Sequence, residues 1–240
     1  MQLKKRYKSM SRLNLLPLLA VWTLWLPTAR AQEAPTATPK MVVETPDGNE
    51  EKEEHSGSAP IVAHFTANAE YDVDWTPLYE WRVYEVGKED SPYLVRYDAD
   101  FDYTFVKAGT SCIVLKISFV NGNDTTEYAM ETPFKITASE SFLSVPNAFS
   151  PNDDGNNDIL RVKKDHYQSI IDFHGYVFNR WGKKLYEWKD ITQGWNGKVN
   201  GHDAPEGVYF LRIDAKGADG RVYKIKKAVT LLREFTVVDN

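Results

Sequence analysis

The chain has 240 residues, a formal net charge of -5 and an aromatic content of 13%. Beyond its first residues it carries no basic block, so its composition argues against nucleic-acid binding and against binding to an anionic membrane. Val, Thr, Tyr and Trp recur at alternating positions, which favours pleated sheets. The length that remains after the N-terminal segment accommodates two small domains.

The first 31 residues have the organisation of a secretory signal peptide. Basic residues precede the apolar run from Leu13 to Leu26, which is shorter than the roughly 20 residues needed to cross a bilayer. Ala29 and Ala31 provide the small residues that a signal peptidase recognises. The sequence predicts a signal peptide over residues 1–31 and no transmembrane segment after its cleavage, with an uncleaved anchor as the alternative.

Residues 32–60 are dominated by Ala, Pro, Thr and Glu, with consecutive charged residues at positions 50–54. Little apolar periodicity is visible, so the burial of side chains would not offset the entropy lost on ordering. We predict a disordered linker over residues 32–60, which holds the following domain away from the N-terminus.

Residues 61–144 have the pattern of one all-β domain. Tyr79, Trp81 and Val83 alternate with polar residues, so we expect them on one face of a sheet. The Asn-Gly pair that begins at Asn121 predicts a tight hairpin. The one cysteine, Cys112, is expected to be a buried strand thiol rather than a reactive or metal-binding group. The predicted strands are Ile61–Ala67, Tyr79–Tyr84, Phe101–Phe105, Ile113–Val120, Thr126–Ala129 and Phe134–Thr137.

This domain resembles a PKD-like immunoglobulin-type domain. The resemblance rests on Tyr79-x-Trp81 in an early strand and on residues 105–109, which lead into the alternating run from Val114 to Ser118. It implies a β-sandwich that serves as a spacer or a binding module, and it transfers no catalytic residue to this chain.

From Val145 onward, loops rich in Asn, Asp and Gly separate short alternating segments, the pattern of a second β-sandwich. The predicted fold class is therefore all-β, with two consecutive immunoglobulin-like sandwiches over residues 61–144 and 145–240 after the signal peptide and the linker. The predicted strands of the second sandwich are Asp158–Val162, Ile170–Asn179, Leu185–Lys189, Gly207–Ala215, Arg221–Lys226 and Ala228–Arg233.

The second sandwich carries several separated motifs in a fixed order. They include a Pro- and Asx-rich run at 145–158, an Asn-Arg-Trp-Gly turn at 179–182, a Gly-Trp-Asn-Gly turn at 194–197 and Pro-Glu-Gly at 205–207. Together they resemble the type B sorting domain of the type IX secretion system of Bacteroidetes bacteria, also described as the gliding-motility-associated C-terminal domain. The short tail after Arg233 departs from the family, in which the domain ends the chain.

The resemblance implies export through the periplasm to the cell surface and association with the outer membrane. The implied partners are an outer-membrane barrel protein of the PorP/SprF type and components of the type IX translocon. The residues that it assigns to the sorting and docking motif are Pro146, Asn147, Phe149, Pro151, Asn152, Asp154, Gly155, Asp158, Asn179, Arg180, Trp181, Gly182, Trp195, Gly197, Gly207, Tyr209, Leu231 and Arg233.

Two of these motifs each have a structural interpretation, which is favoured, and a functional alternative. The oxygen-rich run is interpreted first as a self-satisfied turn, with a calcium site as the alternative; its candidate ligands are Asn152, Asp154, Asn156 and Asp158. Arg180-Trp181-Gly182 is interpreted first as a guanidinium stacked on an indole within the fold, with a docking surface as the alternative. Trp195, between two glycines, is expected to fill a core.

No catalytic constellation is visible in the sequence. The five histidines are scattered without metal-ligand spacing, and there is no nucleophile elbow and no phosphate-binding glycine loop. We therefore predict a protein that is not an enzyme and needs no cofactor, calcium excepted. The favoured function is that of an accessory component of secretion or motility machinery. The alternative is a small secreted adhesin whose PKD-like domain binds glycan or host protein.

Overall fold

Strand-forming alternation dominates the part of the chain that the computed structural model describes, residues 34–233. This range contains no α-helix, and its one 3-10 helix is Lys164–His166. The all-β prediction is confirmed. No helix within this range is long and apolar enough to cross a membrane. The predicted signal peptide, residues 1–31, lies outside the described residues.

The first sandwich consists of a four-stranded sheet, β3-β2-β5-β9, and a six-stranded sheet, β4-β12-β10-β7-β8, in which β11 also pairs with β10. A separate pair joins β1 to β6. The strands are β1 (Thr36–Ala37), β2 (Lys40–Thr45), β3 (Gly48–Glu51), β4 (Glu54–Gly57), β5 (Ile61–Thr66), β6 (Ala69–Glu70), β7 (Thr76–Glu85), β8 (Leu94–Arg96), β9 (Asp100–Phe105), β10 (Gly109–Asn121), β11 (Asp124–Ala129) and β12 (Phe134–Ala138).

The prediction of a disordered linker was wrong, because the structure places β1 to β4 within residues 36–57. Met41 and Val43 on β2 are fully buried in the first core, where β2 pairs with β5. Glu50 and Glu51 on β3 and Glu54 on β4 remain exposed, so the acidic residues of these strands do not need to be buried. The segment is therefore tied to the first sandwich in two places, by β2 on β5 and by β4 on β12.

The longest strand of the first sandwich, β10, supplies the centre of its core. Ile113, Leu115, Ile117 and Phe119 are each at most 1% exposed, and each such side chain contributes about 1.5–3 kcal/mol by leaving water. On the neighbouring β7, Trp81 and Val83 are fully buried, as predicted. Cys112 is also buried, and burial raises the pKa of its thiol.

The second sandwich is built on a five-stranded sheet in the order β14-β21-β20-β16-β17. Short pairs, β13 with β15 and β18 with β19, accompany it. The strands are β13 (Phe142–Leu143), β14 (Ala148–Phe149), β15 (Tyr167–Gln168), β16 (Ile170–Phe178), β17 (Lys184–Trp188), β18 (Lys198–Val199), β19 (His202–Asp203), β20 (Gly207–Gly217) and β21 (Val222–Leu231).

One predicted strand of this sandwich is not observed, and two others are joined into one. The segment from Asp158 to Val162 makes a single bridge, between Leu160 and Trp195, because the preceding loop satisfies its own polar groups. The two predicted C-terminal strands are one continuous strand, β21, which pairs with β20 over ten residues. The lysines in the middle of β21 suggested a break between two strands. They lie at exposed or half-buried positions, so they are compatible with one continuous strand.

The two sandwiches meet at a serine that is fully buried, Ser169. Its hydroxyl accepts a hydrogen bond from the Ala59 amide at 3.1 Å, and its own amide donates to the Ser58 hydroxyl at 2.6 Å. Beside it, the Ala108 amide donates to the Ala218 carbonyl at 3.0 Å. Ala218 belongs to the second sandwich by sequence, yet it packs in the core of the first. These contacts join the two sandwiches within one compact unit.

On the outer face of the four-stranded sheet, His64 links three strands through its ring nitrogens. Nδ1 lies 2.7 Å from an Asp102 carboxylate oxygen on β9, and Nε2 lies 3.0 Å from a Glu44 carboxylate oxygen on β2. The hydrogen bond with Asp102, followed by that with Glu44, raises the pKa of His64. The stabilisation that it provides is complete below the unfolded pKa of about 6.5 and is lost as pH rises through the higher folded pKa.

We therefore expect His64→Gln to lower the free energy of unfolding more at about pH 5.5 than at about pH 8.5, on either side of the ordinary histidine pKa. Urea unfolding of the wild type and the variant at both pH values measures this difference. His202→Gln removes an exposed histidine of the second sandwich and serves as the control. An effect of His64→Gln that is equal at both pH values would show that the protonated ring adds nothing.

Candidate docking surface

The oxygen-rich loop that precedes Leu160 is organised by one carboxylate. Asp158 accepts hydrogen bonds from the backbone amides of Asn152, Asp153 and Gly155 at 3.0, 2.8 and 2.8 Å. Asp154 accepts one from the Asn156 amide at 2.7 Å. Gly155 has a φ of +83°, a conformation that glycine adopts at low cost. The loop therefore has the self-satisfied geometry that the favoured interpretation describes.

The candidate calcium ligands Asn152, Asp154, Asn156 and Asp158 all lie in this loop. Over residues 34–233, no group of three or more His, Cys, Asp or Glu side chains is placed to hold a metal ion. Asp158 directs both carboxylate oxygens at backbone amides. Calcium binding stays a prediction, and a bound ion would compete with these hydrogen bonds for the same oxygens.

Trp195 fills the core of the second sandwich, as expected. It is fully buried, its ring centroid lies 5.4 Å from that of Phe149 and 5.0 Å from that of Tyr209, and its Nε1 donates to the Lys198 carbonyl at 2.8 Å. Its backbone exchanges two hydrogen bonds with Leu160. Aromatic contacts of this kind add about 0.5–1.5 kcal/mol each to the gain from burial.

Arg233 connects three of the motifs through its guanidinium group. It donates to the carbonyls of Pro151 at 3.1 Å, Gly197 at 3.0 Å and Ala204 at 3.1 Å. Its backbone amide donates to the Glu206 carboxylate. Gly197 is required beside it, because a Cβ there would lie 2.9 Å from Pro151. One cation thus satisfies three carbonyls that belong to loops far apart in sequence.

The turn between β16 and β17 presents an indole to solvent. The Asn179 side-chain oxygen accepts hydrogen bonds from the amides of Trp181 and Lys183, both at 3.0 Å, and Gly182 completes the turn at a φ of +78°. Trp181 is 80% exposed, with the Arg180 guanidinium carbon 5.2 Å from its ring centroid. The expected stacking is present, but it lies on the surface and not within the fold.

Residues 143–230 match the family model of the CHU_C type IX secretion signal domain. These residues form a type IX secretion signal domain. The resemblance drawn from the sequence motifs is confirmed for this part of the chain. The domain marks the chain for export by the type IX secretion system to the cell surface.

Most motif residues of the secretion signal domain are placed to hold its loops together. A network of contacts joins loops 150–158, 194–197 and 204–207 to the end of β21. Only Asn179, Arg180, Trp181 and Gly182 form a projecting turn. The motif residues that the structure places in or beside the network are Pro146, Asn147, Phe149, Pro151, Asn152, Asp154, Gly155, Asp158, Trp195, Gly197, Gly207, Tyr209, Leu231 and Arg233.

The sequence motifs missed a further part of the signal domain surface, the outer face of its main sheet. Phe178 on β16 and Phe210 on β20 face each other across the ladder, and Phe210 is 46% exposed. Arg212 lies over the Tyr176 ring at 5.6 Å in the next row. Alternation along residues 208–212 was the available signal, because it places Val208, Phe210 and Arg212 on the side opposite to the core.

Comparison with solved structures gives low similarity. The FN1-FN3 domains of chicken CNTN1 align with 10% identity and a TM-score of 0.26 over 72% of this chain and 64% of that structure. The Bacteroides ovatus mixed-linkage glucan utilization protein SGBP-B, solved with a mixed-linkage heptasaccharide, aligns with 14% identity and a TM-score of 0.22 over 75% and 42%. The chain thus spans less than two thirds of either structure. No curated protein matched the chain.

Removal of the Arg233 guanidinium should loosen the loops of the signal domain. We expect Arg233→Ala to lower the free energy of unfolding by about 2–3 kcal/mol, since it leaves several carbonyls without their charged donor. Arg233→Lys should recover little of this loss, because an ammonium cannot span the three carbonyls. Urea unfolding measures both variants, with the exposed Arg161→Ala as the control, expected within about 0.5 kcal/mol of the wild type. Full recovery by lysine would contradict the assigned role.

Proposed function

We propose that the exported chain is a non-enzymatic surface component that remains attached to the outer membrane. Its secretion signal domain docks to a barrel protein of the PorP/SprF type, and the complex acts as an accessory part of the secretion or motility machinery. The observation that supports this proposal is the exposed, ordered Trp181 at the tip of a hairpin in a type IX secretion signal domain.

Trp181 has the properties of a binding anchor. Trp and Arg are enriched among the residues that contribute most to protein interfaces, and here they are neighbours on one turn. The hydrogen bonds from the Trp181 and Lys183 amides to Asn179 hold this turn before any partner arrives. Such preorganisation reduces the entropy that binding costs.

The rest of the chain favours an accessory role over a catalytic one. Apart from the signal domain, the described chain consists of one sandwich of strands and turns. Its histidine with two carboxylate contacts, His64, lies on a sheet face and not in a catalytic cluster. A sandwich of this kind is suited to spacing or binding.

The docking role of the turn is tested by Trp181→Ala. We expect this change to alter the free energy of unfolding by less than about 0.5 kcal/mol, since the ring is exposed, while cross-linking to an outer-membrane barrel protein falls strongly. Phe142→Ala truncates a half-exposed aromatic of the second sandwich that directly precedes residues 143–230, and it serves as the control. Cross-linking on intact cells, followed by mass spectrometry, identifies the partner.

The mass of the captured chain separates two outcomes. A chain that retains residues 143–233 and is cross-linked to a barrel protein supports permanent docking. A chain that is released into the medium without these residues would show that the domain is an export signal that is removed, and it would contradict the proposed attachment.

A groove on the first sandwich favours a second candidate function, that of an adhesin. It has a volume of about 720 Å³ and lies on the outer face of the six-stranded sheet. Tyr97 and Leu78 line it and are 70% and 57% exposed. Glu80, Arg82 and Lys116 add polar groups. An exposed aromatic ring beside charged and hydrogen-bonding groups is suited to a sugar.

Other aromatic residues of the first sandwich are less available to stack on a sugar than Tyr97. Trp81 is fully buried, and Trp75 and Tyr79 pack partly against the core. If the adhesin function holds, the chain should bind at least one glycan on an array, and Tyr97→Ala should abolish that signal. Tyr93→Ala, which removes a half-exposed tyrosine that does not line the groove, should leave it intact. Binding that is unchanged by Tyr97→Ala would exclude this groove.

A further inference from the structure

The two sandwiches carry opposite charge. Residues 34–142 contain eight Lys or Arg and twenty Asp or Glu, whereas residues 143–233 contain fifteen and eleven. The two ranges therefore carry formal charges of -12 and +4, an acidic half and a basic half. Charges separated in this way attract when two molecules approach with unlike halves together.

The basic half has a groove on the open face of its main sheet. The groove has a volume of about 500 Å³, and its floor is formed by Phe178, Phe210 and Ala228. Arg180, Arg212 and Lys226 line its rim, and no acidic residue lies among the residues that line it. Asp214 pairs with Arg212 at 2.7 Å from the next row, which offsets part of the charge of Arg212. Arg180, Lys226 and Lys227 supply the rest of the positive charge of the groove.

The acidic half presents a loop with the complementary chemistry. Between β6 and β7, Asp72 and Asp74 flank Val73, whose side chain is 98% exposed. The loop is anchored rather than loose, since the Tyr71 ring packs 5.6 Å from that of Phe119 and the Trp75 amide donates to the Asp72 carbonyl at 3.0 Å. An apolar side chain between two carboxylates fits a groove with an apolar floor and a cationic rim.

One copy of the chain does not bring this loop and this groove together. The loop leads into β7 where Thr76 pairs with Val120, some 11 residues along β10 from Gly109 at the junction, which corresponds to roughly 35 Å of strand. Phe210 lies seven residues along β20 from Gly217 at the junction, or roughly 23 Å. Each feature thus occupies the end of its sandwich that is distant from the junction.

We propose that copies of this chain associate head to tail, with the loop of residues 70–75 of one copy in the Phe178–Phe210 groove of the next. The contact joins two different surfaces, so it leaves a free loop and a free groove at the ends and extends into a linear array. The groove adjoins the docking turn, because Asn179, Arg180 and Gly182 line it, but Trp181 is not among its lining residues. Trp181→Ala should therefore leave the association intact while it reduces docking to a barrel protein.

Sedimentation velocity of residues 32–240, which contain the whole described unit, tests this association. In about 0.01 M salt, where charges act over roughly 30 Å, the weight-average mass should rise with concentration beyond that of a dimer. In about 1 M salt, where screening is complete within roughly 3 Å, the association should be strongly reduced. A monomer at every concentration in low salt would overturn the proposal.

Charge reversal identifies the two surfaces. Asp72→Lys with Asp74→Lys, and separately Arg212→Glu with Lys226→Glu, should each abolish association, because like charges then meet. An equimolar mixture of the two variants should associate again, since each supplies the surface that the other needs. Restored association of the mixture also shows that both variants are folded.

A matched control distinguishes a defined contact from general attraction. Lys163→Glu with Lys164→Glu changes the charge of the same sandwich by the same amount at exposed positions outside the groove. This variant should associate like the wild type. If it also becomes monomeric, or if the mixture of reversed variants stays monomeric, the assignment of the loop and the groove is wrong.

Discussion

The guanidinium of Arg233 and the indole of Trp195 impose the constraint on which the second sandwich depends. Much of what covers the main sheet on its buried side is loop, and loops expose backbone carbonyls that a core cannot leave unpaired. Arg233 donates to three of those carbonyls, and Trp195 fills the space between them. Several of the separated sequence motifs therefore supply either the donor or an acceptor of these hydrogen bonds.

This arrangement divides the signal domain into a supporting part and a presenting part. The supporting residues are held by burial and hydrogen bonds, and their sequence is limited by stability. The turn at Trp181 and the open sheet face make few such contacts, so stability places little limit on them. Their exposed aromatic and basic side chains contribute little to folding, which is compatible with the docking role proposed for the turn.

Alternation and turn chemistry were sufficient to predict the all-β class and most strands of the first sandwich, because packing there follows local pattern. The same reasoning failed over residues 32–60, where Met41 and Val43 are ordered by pairing with β5, a contact made across some twenty residues of chain. The motif residues were identified from their order in the sequence. The hydrogen bonds from Arg233 to backbone carbonyls could not be predicted, because every residue has a backbone carbonyl. The exposure of Trp181 could not be predicted either, because a Trp beside an Arg has the same pattern in a core and on a surface.

The position of Ala218 affects when the first sandwich can complete its core during synthesis. This residue enters the core of the first sandwich from the turn between β20 and β21, near the end of the described chain. The first sandwich therefore lacks a piece of its own interior until synthesis has passed almost the entire secretion signal. A chain that stops before Ala218 therefore lacks both the rest of the signal domain and this contact in the first core.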